Sequence, residues 1–315
     1  MRWLECLLLH NGSYIKYHGV CYAPSGIVVH STDKAGKVIK RFVQPYKGQT
    51  EGLSDNGVAV TADQMLAILG ANQNENDWNR EKTYDGNGKL VPLEKSVHAV
   101  LGKLNDGSYA VCKTLDFTQP CWGCGSGKNG SYNGCCGGEA KEPLYIQFEM
   151  VEDTVGDKDH CKALYDLAVE FCARLYLMFP TINFNNIVSH KEAAARGYAS
   201  GHGDPENYWQ RCGVDYTMSG FRADVAAMVE ALEASEGADN QPAVPDMPFK
   251  DVPADAWYAD ALKWAVGKGI IASDGGNFNP DKYITNAAFV VRLRRMYNAM
   301  YAEVKAELKA ELQGK

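Results

Sequence analysis

The sequence predicts an α/β fold with a mixed central sheet flanked by helices, followed by a small all-α module. Over the first part of the chain, short apolar runs typical of buried strands alternate with stretches of helical spacing. The polar, proline-rich segment GADNQPAVPDMP then has the composition of a linker. Beyond it, two amphipathic helical stretches flank a glycine–aspartate turn in a piece too small to bury a large core. We therefore expect domains at 1–236 and 249–315, joined by the linker 237–248.

The first elements follow from local patterns. GIVVHST (26–32) is a continuous apolar run and predicts a buried strand. TADQMLAILG (61–70) predicts a short helix with Thr61 as its N-cap and Gly70 at its end. Apolar runs on both sides of the turn NDG predict a hairpin over about residues 96–115.

The second half of this domain is predicted in the same way. YIQFEMV (145–151) has the pattern of a buried strand. Helical spacing over 159–179, stopped by Pro180, predicts a long helix. The strand NIVSH leads into a short helix, KEAAARG, and SGFRADVAAMVEALEA (219–234) predicts a last helix with Ser219 as its N-cap.

Composition excludes several classes of function. The chain has a net charge of −7 and a pI near 5.6 and contains no basic tract, so we expect neither nucleic acid nor an anionic membrane as a partner. The N-terminal apolar run is short and interrupted by Glu5, which is not typical of a secretory signal peptide. No run approaches the length of a membrane span. We expect the protein to be made in the cytosol without a signal peptide and to stay there unless another factor releases it.

Three side chains far apart in the sequence predict a metal centre. His30 and His190 each close an apolar run, and Asp204 follows the second in HGDP. Two imidazoles and one carboxylate on a zinc ion leave a fourth position for water, which is typical of catalytic zinc sites. Glu149 ends another apolar run and is placed to polarise that water. His30, Glu149 and His190 all lie at or near the C-terminal ends of predicted strands. Open α/β sheets bind their ligands at that edge, so we expect these residues to share one site. The sequence therefore predicts a zinc hydrolase.

The chain has ten cysteines, and two interpretations of one cluster stay open. Cys121 and Cys124 in CWGC, together with Cys135 and Cys136 in GCC, form a candidate second, structural zinc site with four thiolates. The alternative is free or partly oxidised thiols, and the sequence favours it because the closing pair is adjacent and no signal peptide points to an oxidising compartment.

Taken in order, these motifs resemble the type-2 N-acetylmuramoyl-L-alanine amidases, the fold shared by phage amidases and peptidoglycan recognition proteins. The resemblance covers about residues 1–235 and looks closest to endolysins of clostridial phages and prophages. The motifs that carry it are GIVVHST, KRFVQP, NDWN, VHAVLGKLNDGS, TLDF, CWGCGSG, IQFE, VSHKE, HGDP and FRADV.

The resemblance implies a role for each site residue. His30 and His190 match the first two zinc ligands, and Asp204 matches the third, a position that is Asp or Cys across the family. Glu149 falls where the cytoplasmic amidases carry their catalytic glutamate. His202 falls where many relatives have a lysine that stabilises the oxyanion, and a histidine donates there only when correctly protonated. His202 is also an alternative third ligand, because histidine is a common zinc donor.

The C-terminal stretch resembles an S-layer homology module through FKDVPADAWYADALKWAV, GII, GNFNP and YIT. Such modules bind anionic secondary wall polymers, which implies a wall-binding role for 249–298. The chain has one copy, and TNAA at 285–288 stands where the family favours TRAE, so the arginine that would meet an anionic sugar is missing. A single copy leaves apolar faces exposed, so we also expect homo-oligomers to form through this module.

The resemblance thus implies a zinc-dependent amidase that cuts the bond between N-acetylmuramic acid and L-alanine in bacterial peptidoglycan. Without a signal peptide, we expect an endolysin that is made in the host bacterial cytoplasm and acts on the wall after release. The alternatives are a non-catalytic peptidoglycan-binding protein and a wall-anchored assembly protein. Trp122 and Trp209 are candidates for stacking on sugar rings, with burial in the core as the ordinary alternative.

Overall fold

The computed structural model describes residues 1–32, 36–72, 77–125, 144–238, 249–252 and 259–267, together with residues 270, 271, 278 and 296. The chain divides into two compact units, Met1–Leu232 and Glu233–Lys315. Within the described residues, no helix combines the length and apolar character needed to cross a membrane.

The first unit is built on an eight-stranded mixed sheet. Its strands are β1 (Trp3–Cys6), β2 (Pro24–Ser31), β3 (Leu53–Asp55), β4 (Val58–Ala59), β7 (Ala99–Lys103), β8 (Tyr109–Lys113), β9 (Leu144–Met150) and β10 (Ile187–Ser189). Their order across the sheet is β10-β2-β9-β7-β8-β1-β3-β4. Strands β10, β2, β9 and β7 are parallel to one another, whereas β8 is antiparallel to β7. A separate antiparallel ribbon consists of β5 (Lys82–Tyr84) and β6 (Leu90–Pro92).

Seven α-helices are described. They are α1 (Gly12–Tyr17), α2 (Ala62–Leu69), α3 (Lys158–Met178), α4 (His190–Ala195), α5 (Glu206–Arg211), α6 (Met218–Ala238) and α7 (Ala259–Gly267). The two long helices α3 and α6 cover one face of the sheet, where Phe171 and Phe221 pack in one core with Ile27 and Phe148. The predicted fold class of the first domain, a mixed sheet flanked by helices, is therefore confirmed.

Alternation along β2 decides which side chains reach the opposite face. Ile27 and Val29 belong to the core under the long helices, whereas Val28 packs with Val188 of β10 on the other side. Because successive side chains of a strand point to opposite faces, His30 lies on the same side as Val28, away from α3 and α6. The candidate functional site lies on that face.

The local predictions hold with one exception. The predicted hairpin is β7–β8, and α2 has Thr61 as N-cap in a complete capping box and Gly70 as C-cap. The predicted cap at Ser219 is wrong, because α6 begins at Met218 and Ser219 lies inside it. The hydroxyl of Thr217 instead accepts a hydrogen bond from the backbone N–H of Gly220 at 3.0 Å.

The second unit is described over short stretches. Helix α7 contributes Leu262 to a small apolar cluster with Phe249 and Val252. This helix agrees with the predicted all-α module, and residues 268–269, 272–277 and 279–295 of the predicted second helix and turn lie outside the described part of the chain.

Candidate metal centre and active-site cleft

Parallel pairing brings the two histidines together. In the register of β10 with β2, Ser189 lies beside Val29, so the next residue of each chain segment, His190 and His30, are also neighbours. His30 is the penultimate residue of β2, and His190 is the first residue of α4. Ser189 is the N-cap of α4, so the strand ends at Ser189 and the helix begins at His190.

The donor atoms of His30, His190 and Asp204 converge on one point. Nδ1 of His30 is 2.9 Å from Nδ1 of His190, and the two nitrogens are 3.6 Å and 3.4 Å from the Asp204 carboxylate oxygens. All three donor atoms lie within 4.8 Å of one another. Ligands about 2.0–2.2 Å from a tetrahedral zinc ion are separated by similar distances, so the spacing fits such an ion.

Backbone and side-chain contacts orient this group. Nε2 of His190 lies 3.1 Å from the carbonyl oxygen of Ser200, to which it donates when Nδ1 faces the ion. Nε2 of His30 lies 3.7 Å from the sulfur of Cys124. The backbone N–H of Ser31 donates to Oδ2 of Asp204 at 3.1 Å. Each of the three donors is therefore held by a further contact.

Electrostatics favour the protonation states that bind a metal. Burial lowers the pKa of His30, against the opposing influence of Asp204, so its imidazole is neutral at physiological pH. Burial opposes ionisation of Asp204, but the two histidines outweigh burial and hold its pKa well below the ordinary value. Neutral imidazoles and an ionised carboxylate are the forms in which these side chains act as ligands. The donor set therefore fits a divalent cation such as zinc.

Glu149 lies next to the first of these histidines. His30 and Glu149 are partners in the parallel register of β2 and β9, so their side chains point to the same face of the sheet. Oε2 of Glu149 is buried and has no hydrogen-bond partner among the residues that the structure describes. Burial and, after it, the negative charge of Asp204 raise the pKa of Glu149 well above its ordinary value, although Lys95 opposes this.

His202 lies beside the group rather than within it. Its ring stacks on that of His190, with centroids 4.7 Å apart and planes inclined by 30°. The side chain is exposed and lines the same cleft as Glu149 and Asp204. Among the described residues, the converging group takes its third donor from Asp204 and does not include His202.

A cleft of about 760 Å³ contains this site. Its lining includes His190, His202, Asp204 and Glu149 and also Arg41, Phe42, Trp78, Lys95, Trp122, Glu152 and Arg211. Trp122, one of the two tryptophans considered for stacking on sugars, is thus in the cleft. Trp209 is 1% exposed and packs against Phe221 and Tyr165, so it is buried in the core and does not stack on sugar rings.

One contact network in the cleft was not predicted from the sequence. Glu152 is 4% exposed, accepts a hydrogen bond from the hydroxyl of Ser31 at 2.6 Å and forms an ion pair with Arg211. Ser31 in turn donates its backbone N–H to Asp204. Glu152 stands three residues after Glu149 in YIQFEMVED, but an acidic residue after a strand does not by itself distinguish this role from a solvent-exposed one.

The cysteine cluster is described only in part. Cys121 and Cys124 are both buried, and Cys124 is close to His30. Cys135 and Cys136 fall in 126–143, so the four-thiolate zinc site lies outside the described residues. Cys6, Cys112, Cys161 and Cys172 are buried free thiols.

Comparison with known families identifies the C-terminal segment. Residues 248–289 match the S-layer homology domain family. No curated protein matches the chain at a significant level.

Solved structures similar to the chain include PlyL, the catalytic domain of PlyG and the hydrolase AmiA of Staphylococcus aureus. The chain shares 14% identity with PlyL, over 68% of this chain and 90% of that one, with a TM-score of 0.37. The catalytic domain of PlyG has 15% identity over 69% and 89%, with a TM-score of 0.37. The hydrolase AmiA of Staphylococcus aureus in complex with its ligand has 14% identity over 69% and 82%, with a TM-score of 0.38. Because these TM-scores are below 0.5, the function proposed below rests on the site itself.

Proposed function

We propose that the protein is a zinc-dependent N-acetylmuramoyl-L-alanine amidase that hydrolyses bacterial peptidoglycan. The observation that carries this proposal is the convergence of His30, His190 and Asp204 beside the half-buried Glu149 in one cleft. Three protein donors are typical of catalytic zinc sites, whereas structural sites use four.

Amide hydrolysis needs a strong nucleophile, stabilisation of the oxyanion and a protonated leaving amine. His30 and His190 through Nδ1, with Asp204, are the residues that would hold the ion. A bound zinc ion would supply Lewis-acid chemistry, polarising the scissile carbonyl and lowering the pKa of water to about 7. Side chains of the cleft would transfer the protons and donate a hydrogen bond to the oxyanion.

Glu149 is the residue for proton transfer. Its carboxylate takes a proton from the attacking water and later delivers it to the alanine nitrogen. A raised pKa favours both steps, because a group that titrates closer to neutral pH accepts and returns a proton with little cost. Positioned acid–base groups of this kind contribute roughly 10²–10⁴ in rate.

His202 is the proposed hydrogen-bond donor to the oxyanion. It lines the cleft and stacks on the ligand His190, so an N–H of its ring can donate to the carbonyl oxygen of a substrate that is bound at the site. The imidazole of His202 offers a ring N–H as the donor, where the lysine of many family members offers an ammonium group.

The partner in this proposal is bacterial peptidoglycan, and the enzyme acts as an endolysin that is made in the host cytoplasm and released onto the wall. The S-layer homology segment would anchor it through secondary wall polymer, or join copies of the chain into a homo-oligomer. That segment also supports the second candidate, a wall-anchored assembly protein in which it is the dominant part.

Product analysis tests the bond that is cut. Purified peptidoglycan is digested with the zinc-loaded protein, and new amino termini and new reducing sugar ends are measured separately. The proposal predicts new L-alanine amino termini and no new reducing ends. Reducing ends alone would identify a glycosidase, and neither product would favour the binding or assembly protein.

A further inference from the structure

The candidate ligands His190 and Asp204 lie on the segments that begin two short helices. His190 is the first residue of α4, and Asp204 lies two residues before Glu206, the first residue of α5. Both helices have six residues, a length at which a helix is not stable by itself. The separation of the two ligands therefore depends on contacts that join the two segments.

Two hydrogen bonds join these segments, one on each side of His190. Lys191, the residue after it, donates its backbone N–H to the carbonyl oxygen of Asp204 at 3.3 Å, which is long for such a bond. Ser189, the residue before it, donates its hydroxyl to Oε1 of Glu206 at 2.8 Å. The first bond needs only a backbone, whereas the second needs these two side chains.

The hydroxyl of Ser189 is held from both sides. Ser189 is completely buried, and its oxygen accepts the backbone N–H of Glu192 at 3.0 Å, the bond that caps α4. Its single O–H is then the donor to Glu206. One hydroxyl thus connects the first turn of α4, which contains His190, to the first residue of α5.

The first turn of α4 is itself anchored to the core. The guanidinium of Arg222, in α6, forms two hydrogen bonds with the Glu192 carboxylate, at 2.8 Å and 3.2 Å. It also donates to the carbonyl oxygen of Ile187 in β10 at 2.9 Å. A paired guanidinium and carboxylate give a contact of defined geometry. Glu206 therefore attaches α5 to a part of the protein that is already fixed.

The surroundings of Glu206 argue against a role in stability alone. Oε2 of Glu206 is buried and has no hydrogen-bond partner among the residues that the structure describes. A buried polar atom without a partner costs free energy, so a carboxylate is a poor choice for stabilising this position. What it contributes is the acceptor for the Ser189 hydroxyl.

We propose that Glu206 is a positioning residue, which holds His190 and Asp204 at the separation that a metal ion requires through its hydrogen bond with Ser189. This inference rests on the proposed function and adds a residue to its metal centre. Nδ1 of His190 and Oδ1 of Asp204 are 3.4 Å apart. Glu206 is not a member of the converging group of donors, so it acts through Ser189 and not on the ion.

The test measures metal binding by variants of the full chain. Glu206→Leu removes the acceptor, Glu206→Gln keeps a carbonyl oxygen as acceptor, and Ser189→Ala removes the donor. The double variant Ser189→Ala, Glu206→Leu completes a cycle. Tyr165→Phe is the matched control, because it removes another hydroxyl–carboxylate bond, to Asp224 at 2.6 Å, that joins α3 to α6.

Two properties of the metal centre are measured. Competition with a chelating dye gives the zinc Kd, and the visible bands of Co²⁺ bound in place of zinc report the geometry of its ligands. Both are compared with a His30→Ala, His190→Ala variant, so that metal bound at the cysteine cluster is subtracted. The free energy of unfolding of each metal-free variant comes from chemical denaturation.

We expect Glu206→Leu and Ser189→Ala each to weaken zinc binding by about 10–100-fold and to alter the Co²⁺ bands, because the ligand segments lose a fixed separation. Glu206→Gln should keep the zinc Kd and the bands close to those of wild type. The double variant should lose less than the product of the two single losses, since both remove the same bond. Tyr165→Phe should lower only the free energy of unfolding.

The outcomes separate this inference from the function on which it rests. A wild-type zinc Kd in Glu206→Leu, equal losses in Glu206→Leu and Glu206→Gln, or an equal loss in Tyr165→Phe would overturn the positioning role. Losses that multiply in the double variant would do the same. If Ser189→Ala does not fold, the two Glu206 variants and the control decide. Failure of wild type to bind zinc would instead contradict the proposed function.

Discussion

His30 and Glu149 are direct partners in the parallel register of β2 and β9, so a candidate metal ligand and the candidate base lie side by side on one face of the sheet. Neighbouring parallel strands are about 4.8 Å apart, which sets the separation of the two backbones. The relative position of ligand and base is therefore fixed by backbone hydrogen bonds in the centre of the sheet, and not by a loop.

The first prediction concerns Glu149. Glu149→Gln keeps the shape of the side chain but removes the proton acceptor, so turnover should fall by roughly 10²–10⁴ while zinc remains bound. Peptidoglycan hydrolysis and zinc content are measured on the same preparation. Glu81→Gln, at an exposed carboxylate, serves as the control. A wild-type rate in Glu149→Gln would assign the base to another residue.

The second prediction concerns the support of Asp204. The chain of contacts from Arg211 through Glu152 and Ser31 ends at Oδ2 of Asp204. Removing such a support typically lowers metal affinity by about 10–100-fold, so Glu152→Gln should weaken zinc binding within that range. Competition with a chelating dye gives the zinc Kd. An unchanged Kd would show that the backbone of Ser31 positions Asp204 without help from Glu152.

The third prediction connects the core to the site. Trp209 packs against Phe221 and Tyr165, and its helix α5 directly follows Asp204 and Pro205. Trp209→Ala should lower the free energy of unfolding by about 3–5 kcal/mol because it leaves a large cavity. It should also weaken zinc binding, since the segment with Asp204 loses its anchor.

Trp209→Phe is the matched control and should have smaller effects on both quantities, because it keeps an aromatic ring in the core. The free energy of unfolding comes from chemical denaturation and the zinc Kd from dye competition. Unchanged zinc affinity in a Trp209→Ala variant that is clearly destabilised would show that the packing of Trp209 in the core does not position Asp204.

The fourth prediction concerns pH and stability. Nδ1 of His160 lies 2.6 Å from the Tyr109 hydroxyl, and Nε2 lies 2.8 Å from the Val151 carbonyl oxygen. Burial lowers the pKa of His160 below 6.5, so on acidification the unfolded state gains the proton first and the free energy of unfolding falls. This loss begins near pH 6.5 and is complete below the folded-state pKa.

His160→Gln retains a donor toward Val151 but has no group that titrates in this range. Its free energy of unfolding, measured with the metal removed, should therefore change less between about pH 7 and pH 5 than that of wild type. Wild type and the variant share His30, whose contribution cancels in the comparison. Parallel pH profiles would show that His160 does not contribute to the acid sensitivity.

Much of the first domain could be predicted because its strands and helices are strongly patterned. The run GIVVH marks β2 and also ends on a ligand candidate, so one pattern located both the strand and the histidine. The N-cap of α6 was misplaced because Thr217 and Ser219 are both suitable hydroxyl residues two positions apart, and only the structure shows which one accepts the hydrogen bond.

The cleft could be predicted less well, since its walls come from segments that approach only in the folded chain. Phe42 and Trp78 are ordinary aromatic residues in the sequence, and no periodicity indicates that their rings meet beside Arg41 and Lys95. Glu152 and Arg211 pair over a long sequence separation in the same way. Periodicity predicts which face a side chain occupies but not which loop covers that face.

The most direct test of the account is the zinc content of purified wild type compared with a His30→Ala, His190→Ala double variant, measured by mass spectrometry. The comparison does not depend on metal bound at the cysteine cluster, because both proteins contain it. The account predicts that wild type carries about one more zinc ion per chain than the variant and that chelation abolishes hydrolysis until zinc is restored. Equal zinc content in the two proteins, or full hydrolysis by the metal-free wild type, would contradict it.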